Sequence, residues 1–297
     1  MRLAFFACVA LAAQPRVDHH QHLLRSALAP PEGYAQSAAE LVKQLDEAKI
    51  ERAVLLSIAY QLGNPNRPPV ANEYERVKAE NDWTAGQAAQ FPKRLTAFCG
   101  VNPLKDYAVR EIARCAKDPR LRRGLKLHFG NSDVDMDNPA HVAQLRQVFT
   151  EANRYRMAIV AHIRSNYDRR RPWGARQARV FLDQLLPLAK DTTVQIAHLA
   201  SAGAFDDAGV EAALTVFADA LAARDRRMKR VYFDVSIARW ESKADALVRL
   251  VRRIGMKRLV YASDSPPSKA LRDFRRLPLT ERELGQIELN VAPYLKK

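Results

Sequence analysis

The tract Val17-Asp18-His19-His20-Gln21-His22-Leu23 carries the side chains best suited to chemistry. Read as a strand, it alternates between two faces, so Asp18, His20 and His22 share one side. Two imidazoles two residues apart on a rigid strand can offer nitrogen ligands to one divalent metal, although the same spacing also suits a polar edge strand. Three further strand-like runs end in His162, His198 and Asp264, and another carries Lys126 and His128 on one side. Of the seven histidines, only His19 and His141 fall outside this set. Taken singly, a histidine is more often a hydrogen-bonded structural residue than a ligand. Their joint placement at strand ends is what points to a metal site.

The elements that must position these residues follow a strand-then-helix rhythm. After the first strand, near-continuous apolar runs predict strands at 52–58, 95–101, 124–129, 157–162, 193–198, 231–236 and 258–264. Helical spacing and cap signals predict helices over 37–48, 71–91, 107–117, 138–155, 175–189, 208–226 and 242–254, with one last helix within 279–294. Eight strands joined by right-handed helical crossovers close most simply into a single (β/α)8 TIM barrel. An open doubly wound sheet fits less well, because no glycine-rich phosphate loop follows any strand. In a barrel, functional groups belong at the C-terminal ends of the strands, where the polar residues of this chain fall. Asp18 lies one step deeper than the histidines and is expected either to orient one of them or to form a buried structural pair.

Composition sets outer bounds. A chain of 297 residues with 47% hydrophobic composition can bury a large core as one domain, residues 14–297. Residues 1–13, one arginine followed by an apolar stretch and a small-residue site, read as a signal peptide. That reading places the protein in the periplasm or outside the cell if the segment is cleaved, and in the cytoplasm otherwise. The stretch is too short to span a membrane. Its removal takes Cys8 and leaves Cys99 and Cys115, which can pair in an oxidising compartment or stand as two buried thiols. The net charge of +15 comes from basic residues dispersed over helical stretches, with no nucleic-acid-binding motif beside them. The expected partner is therefore a small, anionic substrate rather than nucleic acid, and a homodimer is compatible with the sequence.

Taken together, Asp18-His19-His20-Gln21-His22, the histidine ending strand five, Ile196-Ala197-His198-Leu199 and Ala262-Ser263-Asp264-Ser265-Pro266 resemble the amidohydrolase superfamily, in particular its amidohydrolase 2 branch of decarboxylases and lactone hydrolases. The resemblance runs from residue 17 to about residue 293. It implies a metal held by His20, His22, His162 and Asp264, usually one Zn2+, with Mn2+ or a binuclear centre as variants. His198 would then position the substrate or the metal-bound water. In some branches of the superfamily a strand-four lysine is carboxylated and bridges two metals. Here Lys126 or His128 is expected instead to contact a substrate carboxylate, with Arg164 and the Arg169–Arg171 run drawing an acidic substrate in, or the run standing as a solvated loop.

The chemistry can be argued from the residues as well. A metal held by three imidazoles and a carboxylate lowers the pKa of a bound water to about 7. Asp264 beside that water is suited to take its proton and pass it to the leaving group. The leading expectation is thus a hydrolase of a lactone, ester or amide bond in a small carboxylated molecule. The alternative is a lyase that decarboxylates an aromatic or enoic acid without oxidation in the same site. A binding protein on a degenerate barrel ranks third, because the ligand set is intact.

Overall fold

The computed structural model describes residues 14–24, 32–166 and 170–296. The apolar tract at 1–13 with Cys8, and Arg169 of the arginine run, lie outside the described residues. Eight parallel strands run in chain order around one sheet: β1 (Val17–Gln21), β2 (Arg52–Leu56), β3 (Leu95–Gly100), β4 (Gly124–His128), β5 (Ala158–His162), β6 (Val194–Ile196), β7 (Val231–Asp234) and β8 (Leu259–Val260). The His19 amide donates to the Tyr261 carbonyl at 3.0 Å and the Asp264 amide to the His20 carbonyl at 2.9 Å, which ties the chain leaving β8 back to β1. The expected (β/α)8 barrel is the observed fold.

The helices are α1 (Ala38–Glu47), α2 (Glu73–Ala89), α3 (Ala108–Lys117), α4 (Pro139–Arg154), α5 (Ala175–Val180), α6 (Ala208–Ala222), α7 (Ala244–Ile254), α8 (Pro267–Arg275) and α9 (Glu281–Leu289). Local chemistry sets their ends. Ser37 caps α1 by accepting from the Glu40 amide, and Thr280 and Glu283 form a reciprocal capping box on α9. Two elements differ from the sequence pattern. The helix expected at 175–189 is regular only to Val180 and continues as a π turn over Phe181–Leu185 and a 3-10 turn over Leu186–Ala189. Pro187 has no amide hydrogen to continue the α pattern. The helix expected within 279–294 is α9, and a further helix, α8, stands before it: Pro267 is preorganised for the first turn of α8, and the chain leaves that helix before Pro278.

Strand alternation sorts the core into two. Leu125 and Leu127 of β4, and Ile159 and Ala161 of β5, pack outward in the cluster shared with the helices. Val54, Leu56, Phe98, Ala158 and Val160 point into the barrel and form a separate cluster at its floor, against Val291, Tyr294 and Leu295 of the C-terminal segment. Gly124 faces this interior because Phe98 fills the space a side chain would need: a Cβ there would lie 2.1 Å from the Phe98 ring. On the outer side, Cys99 of β3 and Cys115 of α3 form a disulfide with a Cα–Cα distance of 6.2 Å. No helix among the described residues is long and apolar enough to cross a membrane.

Candidate metal centre and substrate cavity

The site forms where strand ends meet at the mouth of the barrel. β1 delivers His20 and His22, and a second hydrogen bond fixes each ring. His20 Nδ1 donates to Asp234 Oδ2 at 3.1 Å, and His22 Nδ1 donates to the Leu56 carbonyl at 2.7 Å. Because those partners can only accept, the neutral form of each ring carries its proton on Nδ1 and turns a lone pair at Nε2 toward the cluster. The two Nε2 atoms face each other at 3.2 Å. Asp264 Oδ1 lies 3.6 Å from His20 Nε2 and 3.4 Å from His22 Nε2, while its Oδ2 lies 3.4 Å from His198 Nε2. His198 Nδ1 faces the Ser236 carbonyl at 2.9 Å, so its Nε2 is also free to bind. Lone pairs aimed at one another across these distances repel unless a cation sits among them, and this nitrogen and carboxylate donor set fits a divalent metal.

The protonation states agree with that use. Burial pushes His22 down to about 3 and lowers His198, so both rings are neutral at pH 7. Burial alone would raise Asp264, but the facing His20, His22, His198 and Lys126 hold it at about 2. Neutral imidazole and ionised carboxylate are the forms that bind metal. Lys126 reaches the same cluster: its Nζ donates to His20 Nε2 at 2.8 Å, and burial draws its pKa down to about 8 against the pull of Asp264 and Asp234. A cation and this ammonium group compete for one lone pair.

His198 and Asp264 are aimed by unusual backbone. Strands β6 and β8 stop at Ile196 and Val260, short of the expected 198 and 264. Beyond β6, His198, Leu199 and Ala200 all take left-handed φ angles of 54°, 50° and 63°, and Asp264 takes 45°. Such conformations cost non-glycine residues about 1–3 kcal/mol each and persist where the surroundings enforce them. Here the His198 amide donates to Asp234 Oδ1 at 2.8 Å, and the Tyr34 hydroxyl donates to the Asp264 carbonyl at 2.9 Å.

His128 and His162 are paired in register across β4 and β5, and their rings stack with centroids 3.9 Å apart. The His162 ring centre lies 5.1 Å from that of His198, so it borders the cluster. Burial lowers both His128 and His162 well below the usual histidine value. A cavity of about 390 Å³ opens over the cluster, with His128, Tyr34, Tyr60, Arg67 and Asn131 among its walls. Arg164 is not among those walls. It is buried, donating to the Ser165 carbonyl at 3.1 Å and lying 3.6 Å from Asp207. Arg171 of the arginine run pairs with Asp133 and Asp135, at 2.8 and 3.3 Å.

Two features escaped the sequence reading. Asp234, not Asp18, holds the His20 ring; Asp18 instead accepts from the Ser263 and His20 amides, at 3.0 and 3.2 Å, and so fastens β8 to β1. An aspartate inside the apolar run Val231–Asp234 was the available signal, since a buried carboxylate demands partners. Arg67 is the guanidinium at the cavity rim, and a position in a proline-rich loop gives no periodic signal.

The amidohydrolase family matches residues 17–290. No curated protein matches the sequence. The chain superposes on 5-carboxyvanillate decarboxylase from Sphingomonas paucimobilis with a TM-score of 0.63 and 14% identity, over 93% of this chain and 97% of that one. A dihydroxybenzoic acid decarboxylase from a Polaromonas species, solved with bound manganese and 2-nitroresorcinol, gives 0.61 and 15% over 93% and 94%. A probable 2-pyrone-4,6-dicarboxylic acid hydrolase from Acinetobacter baumannii gives 0.56 and 16% over 92% and 96%.

Proposed function

The chain belongs to the amidohydrolase family, and from that premise we propose that it is a divalent-metal-dependent enzyme removing the carboxyl group of a small aromatic acid without oxidation. The observation that carries this reading is the ring-lined wall beside the polar cluster. The Tyr60 ring lies 5.2 Å from the His128 ring, which stacks in turn on His162. A planar substrate has a surface to lie against there, and aromatic pairs of this kind contribute about 0.5–1.5 kcal/mol beyond area burial. The similarity in fold to the two decarboxylases supports the reading.

In this site His20, His22 and Asp264 would hold the cation, with His198 and His162 beside it. When bound, the cation supplies positive charge that draws electron density from a coordinated substrate oxygen. Asp234 keeps the His20 ring in the tautomer that leaves Nε2 free. Arg67, which lines the cavity, would pair with a substrate carboxylate. Decarboxylation breaks the bond between ring carbon and carboxyl carbon, leaves the electron pair on the ring and requires a proton there. The Lys126 ammonium, within the cluster beside His20, can deliver that proton, whereas the ionised Asp264 carboxylate is not a proton source.

Hydrolysis of a lactone, ester or amide is the second reading, favoured by the ionised Asp264 as a base and by the similarity to the pyrone-dicarboxylic acid hydrolase. The test is a panel of hydroxylated benzoates and pyrone carboxylates, each run with Mn2+ and with Zn2+, in which carbon dioxide release and ring opening are followed separately. Carbon dioxide formed in step with loss of the acid supports the proposal. Ring opening without carbon dioxide contradicts it in favour of hydrolysis.

A further inference from the structure

A line of hydrogen bonds runs through the barrel from its floor to the histidine cluster at its mouth. At the floor, the Tyr294 ring sits edge-on to Phe98, with centroids 5.2 Å apart, in the C-terminal segment that closes the barrel. Its hydroxyl donates to Gln195 Oε1 at 2.5 Å. Gln195 Nε2 then donates to Asp234 Oδ2 at 2.8 Å, and the same oxygen accepts from His20 Nδ1 at 3.1 Å. Each link has one polarity. A carboxylate can only accept, so Gln195 must turn its NH2 toward Asp234, and its carbonyl oxygen then requires a donor on the floor side. Tyr294 is that donor. Asp234 Oδ1 is occupied as well, by the His198 amide at 2.8 Å and the Ser236 hydroxyl at 2.6 Å. One carboxylate therefore orients both His20 and the left-handed turn carrying His198.

We propose that Tyr294 is a positioning residue for the metal centre: by holding Gln195 in one orientation it fixes Asp234, and through Asp234 the His20 ring, so that the C-terminal segment tunes cation affinity across the length of the barrel. The inference rests on the reading that His20, His22 and Asp264 hold a divalent cation. Partners of metal-binding histidines generally change affinity or activity by 10–100-fold when removed. Tyr294 is two steps further out, beyond Gln195, and the expected effect lies below that range.

The test uses the full chain with Mn2+ and Co2+. In Tyr294→Phe the ring still fills the floor, and only the donor is lost. The expected result is an Mn2+ Kd raised about 5- to 10-fold, together with a changed visible absorption spectrum of the Co2+-loaded protein, which a purely structural role would not alter. Gln195→Leu should weaken binding in the same direction. In the double variant, Tyr294→Phe should add nothing further, because the Gln195 link through which its hydroxyl acts has gone. Equal Mn2+ affinity and an unchanged Co2+ spectrum in Tyr294→Phe would overturn the proposal, as would fully additive effects in the double variant. Failure of the wild-type chain to bind either ion would instead remove the metal reading beneath it.

Discussion

The two ends of this barrel are made from the same strands and yet have opposite chemistry. At the mouth, His20, His22, His198 and Asp264 gather unshielded lone pairs and a carboxylate, and the chain tolerates four left-handed non-glycine residues to aim them. At the floor, Val54, Leu56, Phe98 and Val160 are buried to 1% exposure or less, and the C-terminal segment closes over them. The contrast shows stability and reactivity assigned to separate ends of each strand, as the barrel topology permits. β5 carries it within five residues: Ala158 and Val160 pack in the floor, and His162 stands at the mouth. Gln195 and Asp234 join the two ends and are the one place where the separation should fail.

The comparison can be broken or sharpened by experiment. The largest effect belongs to the mouth. Replacing His20 and His22 together by alanine should abolish divalent-metal binding and lower turnover by at least ~100-fold, while thermal unfolding of the metal-free protein stays cooperative. Metal retained at wild-type stoichiometry would break the assignment of these rings.

Acid should come next. Burial lowers His19 to about 4 and His22 to about 3, and lowers His128, His162 and His198 as well. An unfolded chain takes up protons at these five positions near pH 6.5, where the folded protein does not. Stability is therefore full above pH 7 and falls as pH drops through 6.5, by up to ~1.4 kcal/mol per group per pH unit. Asp18 works the other way, because burial raises it to about 6: its contribution is present below 3.8 and lost as pH rises through 6, offsetting one histidine in part. Asp264, held near 2, loses its contribution only below this window. Melting temperatures of the metal-free protein between pH 7.5 and 5.5 check the sign, and a flat profile would contradict it.

The smallest effect is at the floor. Val54→Ala should cost about 2 kcal/mol, the scale of burying one valine side chain, with Mn2+ affinity within twofold of wild type. Urea unfolding and metal titration of the same sample would show whether floor packing by itself reaches the mouth. If Val54→Ala weakens metal binding as much as Tyr294→Phe, the two ends are not separable.

Much of this was legible in the sequence where one side chain depends on strand period. Alternation in 124–129 placed Lys126 and His128 on the one face they share. Alternation in 17–23 brought His20 and His22 together, but the β1–β2 register shifts between Asp18 and Gln21, so Asp18 meets Gln21 and Ser263 instead of lying beside the histidines. What escaped was set by tertiary contacts. Nothing local marks His198, Leu199 and Ala200 as left-handed, since no glycine occurs there and distant Asp234 holds the turn. Arg164 follows strand five as expected, but Asp207 on another loop draws its guanidinium, and Arg67 stands at the cavity instead. The disulfide between Cys99 and Cys115 was an open choice, because pairing depends on how α3 lies on β3.

The most direct test of the central claim is a crystal structure of the Mn2+-soaked protein with anomalous diffraction data. The expected result is a single strong peak bounded by His20 Nε2, His22 Nε2 and Asp264, with His198 or His162 completing its coordination. A peak elsewhere in the barrel, or none in protein that turns over substrate with Mn2+ present, would contradict it.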